Sequence, residues 1–140
     1  MNQRTFREMQ KGDYRQILIL WQRTSGLGLS DADSQEGICS FLDRNPGFSF
    51  VCEENGLILG TILCGHDGRR GYLYHLAVDE AYRKQGIGLT LTDMSLHALR
   101  QCGIAKCHLF VYRDNYSAEL FYEKNRWQKR TTLDIFSKDL

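Results

Sequence analysis

Residues 78–90 read Val-Asp-Glu-Ala-Tyr-Arg-Lys-Gln-Gly-Ile-Gly-Leu-Thr. An apolar stretch ends, a basic loop follows, and Gly86 and Gly88 open a helical pattern. The first N–H groups of a helix lack intrahelical partners and carry the positive end of its dipole. Glycine at 86 and 88 lets an anion approach that backbone unobstructed. Arg83 and Lys84 add positive charge, and the Thr90 hydroxyl can add a hydrogen bond. This is the chemistry of a pyrophosphate cradle. Gly-x-Gly alone also suits tight strand-to-helix packing, and two nucleotide motifs fit the stretch less well. The dinucleotide pattern wants a small third residue where Leu91 stands, and an acidic end to the next strand near 107–111, where there is none. The Walker pattern wants Gly-Lys-Ser/Thr, which is absent.

Three further groups of residues could do chemistry. Asn115 and Tyr122 are two helical turns apart, so one helix face carries both, and Asn115 stands at an N-cap position. Capping and packing would also account for them. His75 lies inside a strand, as a structural group or as a base. Asp31, Asp33 and Glu36 follow the break Gly26-Leu27-Gly28; they read as an attractor for a cationic amine or as an exposed acidic loop with a cap residue. The turn Gly65–Gly71 contains Arg69 and Arg70 and reads as a solvated hairpin turn or as a contact for an anionic partner.

The elements that must position these residues follow from periodicity. A short strand is predicted at Thr5–Met9. Tyr14, Ile17, Leu18 and Trp21 have helical spacing within 13–24. Asp33 or Ser34 caps a second helix whose apolar face is Ile38, Phe41 and Leu42. Asn45-Pro46-Gly47 is a turn. Strands at Phe48–Cys52 and Leu57–Cys64 are joined by Glu54-Asn55-Gly56, a hairpin signal, and Tyr72–Val78 is the next strand. Gly86–Cys102 is an amphipathic helix with Ile87, Leu91, Met94 and Ala98 on one face, stopped by Gly103. Lys106–Tyr112 is a strand, Asn115–Lys124 a short helix, and Trp127–Ser137 provides one or two closing strands. Strand, helix, strand over 72–112 implies a parallel pair inside an otherwise antiparallel sheet. The fold class is α/β (α+β mixed), with helices on both faces.

Composition bounds the rest. The chain has 140 residues, 42% hydrophobic and 25% charged, which fits one domain over 1–140. Lys plus Arg total 18 and Asp plus Glu 17, a net charge of +1. That balance disfavours a general nucleic-acid binder and an acidic disordered chain. One proline and 13 glycines disfavour linker-rich architecture. Met1-Asn2-Gln3-Arg4 begins no apolar leader, and no apolar run approaches the ~20 residues that span a bilayer. The five cysteines, Cys39, Cys52, Cys64, Cys102 and Cys107, include no Cys-x-x-Cys pair. A reducing, cytoplasmic compartment and no metal are the expectations.

Arg83-x-x-Gly86-x-Gly88, preceded by Leu76-Ala77-Val78, resembles the acetyl-CoA-binding core of the GNAT superfamily of N-acetyltransferases, in its small uncharacterised bacterial form. The similarity continues through Gly103-Ile104, the strand at 107–112, Asn115 and Phe121-Tyr122-Glu123. The resemblance implies a GNAT fold, splayed between its fourth and fifth strands, with acetyl-CoA as cosubstrate. It implies that the backbone of Arg83, Lys84, Gln85, Gly86, Ile87 and Gly88, with Thr90, holds the pyrophosphate. Leu76, Ala77 and Val78 would line the pantetheine arm, and Asn115 would contact it. Tyr122 would be the general acid toward the leaving thiolate.

An amine is mostly protonated at pH 7, so attack requires a base. The fifth-strand glutamate of some members is Phe110 here, and the fourth-strand glutamate of another branch is Tyr72, so His75 is the candidate. Lys84 stands where Gly is frequent, Glu80 where Pro is, and Arg126-Trp127 where Gly-Phe is. The implied acceptor is a small-molecule or peptide amine, with no nucleic acid and no membrane as partner, and a homodimer is an expectation from the family. Two competing readings are a non-catalytic acyl-CoA-binding regulatory module and a nucleotide-binding domain that uses the same turn.

Overall fold

The computed structural model describes residues 3–140. Met1 and Asn2, the first residues of the stretch expected to hold no apolar leader, lie outside the described residues. The chain forms two compact units, one running to Phe110 and one from Val111 to Leu140.

The first unit is built on a five-stranded sheet in the order β1-β2-β3-β4-β5. The strands are β1 (Arg4–Glu8), β2 (Phe50–Glu54), β3 (Leu57–His66), β4 (Gly71–Val78) and β5 (Cys107–Leu109). β1 to β4 pair antiparallel, and β4 with β5 parallel. Asn55 and Gly56, with φ of 53° and 76°, make the tight β2–β3 turn. The helices are α1 (Tyr14–Arg23), α2 (Gln35–Arg44) and α3 (Ile87–Gln101). Ser34 is the N-cap of α2 and accepts the Gly37 N–H, which settles the choice between Asp33 and Ser34.

Successive residues of β3 point to opposite faces, and the helices follow that alternation. Thr61 Oγ1 accepts the Trp21 Nε1–H of α1 at 2.9 Å. A Cβ on the neighbouring Gly60 would lie 2.8 Å from Ile87 and 3.1 Å from Leu91, both of α3. On the α1 and α2 face, Ile17, Leu20, Trp21 and Ile38 form one core with Val51, Ile58, Leu63 and Ala77. On the other face, Ser95 of α3 donates to Phe48 O at 2.8 Å.

The second unit holds α4 (Tyr116–Lys124), capped by Asn115, whose Oδ1 accepts the Ala118 N–H.

Two sequence expectations are corrected. The fifth strand is Cys107–Leu109, not Lys106–Tyr112. β4 pairs with it only over Gly71–Leu73, so residues beyond Leu109 have no ladder to join, and Phe110 and Tyr112 are exposed. No strand forms over Trp127–Ser137. A strand needs a hydrogen-bonded neighbour, the second unit supplies none, and Leu133, Ile135 and Phe136 stand exposed despite their strand-like pattern.

The close approach at Gly60 gives a test. Overpacking costs about 1–3 kcal/mol. Gly60→Ala should lower the unfolding free energy by that amount, read as a lower urea midpoint with an unchanged slope. Gly12→Ala, with open space around the new Cβ, should leave the midpoint near the wild-type value.

Candidate active site

The site of the first unit begins where β4 leaves β5. β4 continues to Val78, but its pairing with β5 stops at Leu73. Over 74–78 the strand stays bonded to β3 on one side and has no β5 partner on the other. The β3–β4 register shifts between Thr61 and Leu63, and His75 takes a left-handed φ of 49° opposite that shift. An L-residue there costs about 1–3 kcal/mol and persists only where its surroundings hold it. They do: Trp21 Nε1–H donates to Thr61 Oγ1 at 2.9 Å, and the Thr61 hydroxyl donates to His75 O at 2.9 Å. Leu76, Ala77 and Val78 follow on the open stretch.

Past β4 the chain makes the turn that opens α3. Asp79 N–H donates to Leu59 O, and the Asp79 carboxylate accepts the Ala81 N–H, which caps the short turn Glu80–Tyr82. Arg23 of α1 pairs with Asp79 at 3.2 Å. Arg4 of β1 donates to the Gln85 side chain at 2.9 Å. Lys84 and Gly86 are left-handed, at φ 62° and 81°, so Lys84 occupies the kind of position that favours glycine. Thr90 N–H, bonded to Gly86 O at 3.0 Å, is the first to bond within the helix. The N–H groups of Ile87, Gly88 and Leu89 therefore have no intrahelical partner. Arg83, Lys84, Gln85 and Gly86 are exposed around them. Arg83 Nε–H donates back to Val78 O at 3.3 Å, which brings its guanidinium to the end of β4.

Ahead of α2, the structure brings together two candidates that the sequence kept apart. His75 Nε2 lies 2.7 Å from Asp33 Oδ1. Asp33 is only 9% exposed, so the expectation of an exposed acidic loop is wrong for this residue. It turns inward because the sheet offers it an imidazole and Ser30 a backbone N–H. Asp31 and Glu36 do remain exposed. The basic turn after β3 closes on itself, with Asp67 Oδ1 accepting the Arg69 and Arg70 N–H groups.

In the second unit, Asn115 acts as the cap of α4. The half-buried Tyr122 packs edge-on against Phe121 at 5.2 Å and Trp127 at 5.7 Å. Burial pushes its phenol up to about 12. Burial also raises two thiols of the first unit, Cys64 to about 12 and Cys107 to about 11, so both stay protonated at neutral pH.

The parallel strand pair thus opens beside a glycine turn that leads into a helix, in a mixed α/β fold, and similarity to known proteins gives its family. The model of the acetyltransferase (GNAT) family matches residues 14–126. An acetyltransferase from Pectobacterium atrosepticum is 33% identical over 128 residues, covering 91% of this chain and 88% of its own. One from Yersinia pestis is 30% identical over 127 residues, covering 91% and 89%. The solved PaiA N-acetyltransferase of Thermoplasma acidophilum, in complex with coenzyme A, superposes with a TM-score of 0.82 at 18% identity over 93% of this chain and 92% of its own, a likeness of fold. The chain belongs to the GNAT family of acetyltransferases, and it is an enzyme of that class.

Tyr122 makes a measurable mark on stability. Folding holds its proton up to about pH 12, whereas an unfolded phenol releases it near ~10. Stability is therefore fully present below ~10 and falls as pH rises toward about 12. In urea melts across that window, Tyr122→Phe should lose less stability than wild type. Parallel curves would show that the phenol is not buried.

Proposed function

We propose that the whole chain acts as one N-acetyltransferase domain, transferring the acetyl group of acetyl-CoA directly to an amine. The observation that carries the reading is the unpaired edge of β4 over 74–78, running into the free N–H groups at the start of α3. These groups suit the two parts of such a substrate. A polyamide arm finds strand-like hydrogen-bonding partners along Leu76, Ala77 and Val78. A pyrophosphate finds the backbone of Arg83 to Gly88, the Thr90 hydroxyl and the charges of Arg83 and Lys84. Asn115 is assigned to the same arm.

The chain's own residues then have separable tasks. His75 takes the proton from the amine, which can attack only when neutral. Backbone N–H along the open stretch of β4 meets the charge that develops on the thioester oxygen. The nitrogen–carbon bond forms as the carbon–sulfur bond breaks, and the electron pair leaves on sulfur. Tyr122 keeps its proton throughout neutral pH and donates a hydrogen bond to that sulfur. A phenol at about 12 lies above a thiol at ~8.5, so full proton transfer comes late and the hydrogen bond does most of the work. Cys64 and Cys107 stay protonated, which favours direct transfer over an acyl-cysteine.

Five free thiols fit a reducing, cytoplasmic setting. Among the described residues no helix is long and apolar enough to cross a membrane.

Thiol release from acetyl-CoA, measured over a panel of spermidine, kanamycin and an alanine-initiated peptide, tests the reading. At least one amine should turn over. With that amine, Tyr122→Phe should lower kcat by about 10²-fold with KM for acetyl-CoA little changed. Tight coenzyme A binding with no turnover on any amine, and no effect of the substitution on residual hydrolysis, would instead indicate a binding module. Thermal protection by ATP or NAD but not by coenzyme A would remove the reading altogether.

A further inference from the structure

We propose that Asp33 is a positioning residue that fixes the imidazole of His75 in its Nε2–H tautomer and so presents the Nδ1 lone pair as the base; this rests on the proposed role of His75. Both carboxylate oxygens of Asp33 are engaged. Oδ2 accepts the Ser30 N–H at 2.9 Å, and Oδ1 lies 2.7 Å from His75 Nε2. An ionised carboxylate can only accept, so the proton between Oδ1 and the ring belongs to Nε2. A neutral imidazole then carries its lone pair on Nδ1.

Both partners are held from several sides. The Asp33 carbonyl accepts the Tyr14 hydroxyl at 2.7 Å, and the Asp33 N–H donates to Ser30 O at 2.9 Å. The His75 ring lies against Trp21, with centroids 4.7 Å apart. The His75 carbonyl is held by Thr61. Among these neighbours Asp33 is the one charged group, and Tyr14 the other titratable one.

The remaining ring nitrogen is uncommitted. Among the described residues, Arg4 Nε is the one buried side-chain nitrogen or oxygen without a hydrogen-bond partner. His75 Nδ1 also makes no hydrogen bond among them. The side chain is 13% exposed. A ring with one nitrogen clamped by a carboxylate and the other without a protein partner is arranged to accept a proton. A plain core histidine would have both nitrogens satisfied.

The Ser30 contact makes the conservative substitution informative. In Asp33→Asn the amide oxygen must stay with the Ser30 N–H, so the NH2 group faces the ring. It donates to Nε2, which moves the proton to Nδ1 and removes the lone pair there. The shape is kept and the tautomer is reversed.

Long-range 15N–1H NMR of the imidazole reads this without any acceptor. The wild-type protein near neutral pH should show His75 protonated on Nε2 and bare on Nδ1. Asp33→Asn should show the reverse. With acetyl-CoA and whichever amine of the panel turns over, Asp33→Asn should lower kcat about 10²-fold with KM for acetyl-CoA held. Asp33→Glu, which restores an acceptor, should recover part of the loss.

The possible failures are distinct. Full activity in His75→Gln would overturn the role of His75 and this inference with it. Loss of activity in His75→Gln, with a wild-type spectrum protonated on Nδ1 or with Asp33→Asn at full kcat, would overturn the positioning role alone. The wild-type spectrum decides the tautomer even if a variant does not fold.

Discussion

The molecule depends on one backbone constraint: β4 must stay bonded to β3 along its length while leaving β5 after Leu73. A strand in the middle of a sheet does not abandon a neighbour without cause, because each unpaired group costs free energy unless water or a ligand takes it. The cause is local. A register shift between Thr61 and Leu63 and the left-handed His75 fall just past the end of the β5 pairing, and such an irregularity bends a strand. The Trp21–Thr61–His75 hydrogen-bond chain ties that distortion to α1. The edge left open is what a peptide-like arm can use.

The turn that opens α3 depends on the same strand. Its position is set by the end of β4 through Asp79 and by the packing of Ile87 and Leu91 over Gly60. Arg4 on Gln85 and Arg23 on Asp79 attach it to the far edge of the sheet and to α1. These exposed contacts are individually worth little, but they restrain a loop that contains two left-handed residues. The net charge of +1 conceals a local separation. Arg83 and Lys84 stand at the turn, whereas Asp33 stands by His75, so α1 and the segment before α2 shape the other side of β4.

Much of this was legible in the sequence, and the reason is range. Helices α1, α2 and α3 follow from apolar periodicity, the β2–β3 turn from Asn-Gly, and the turn that opens α3 from its glycines. All of these are signals carried within a dozen residues. Lys84 where glycine is frequent was a visible departure, and its φ of 62° gives the physical meaning of that position. The length of β5 was not legible, because the apolar run Cys107–Tyr112 does not record that β4 stops offering partners. The segment 127–137 has a strand-like pattern and no strand, since alternation cannot supply a neighbour. The pairing of Asp33 with His75 joins residues 42 apart in the chain. Nothing local distinguishes a buried carboxylate from the exposed Asp31 two positions earlier.

We propose that the open edge of β4 and the turn into α3 are one continuous binding surface for coenzyme A. Titration of 15N-labelled protein with coenzyme A, followed by backbone amide NMR, addresses it most directly. The largest shifts should fall on Leu76 to Val78 and on Arg83 to Gly88 together, with one common midpoint. Saturable binding that leaves those amides unmoved, or that moves the turn while the β4 amides stay in place, would contradict it.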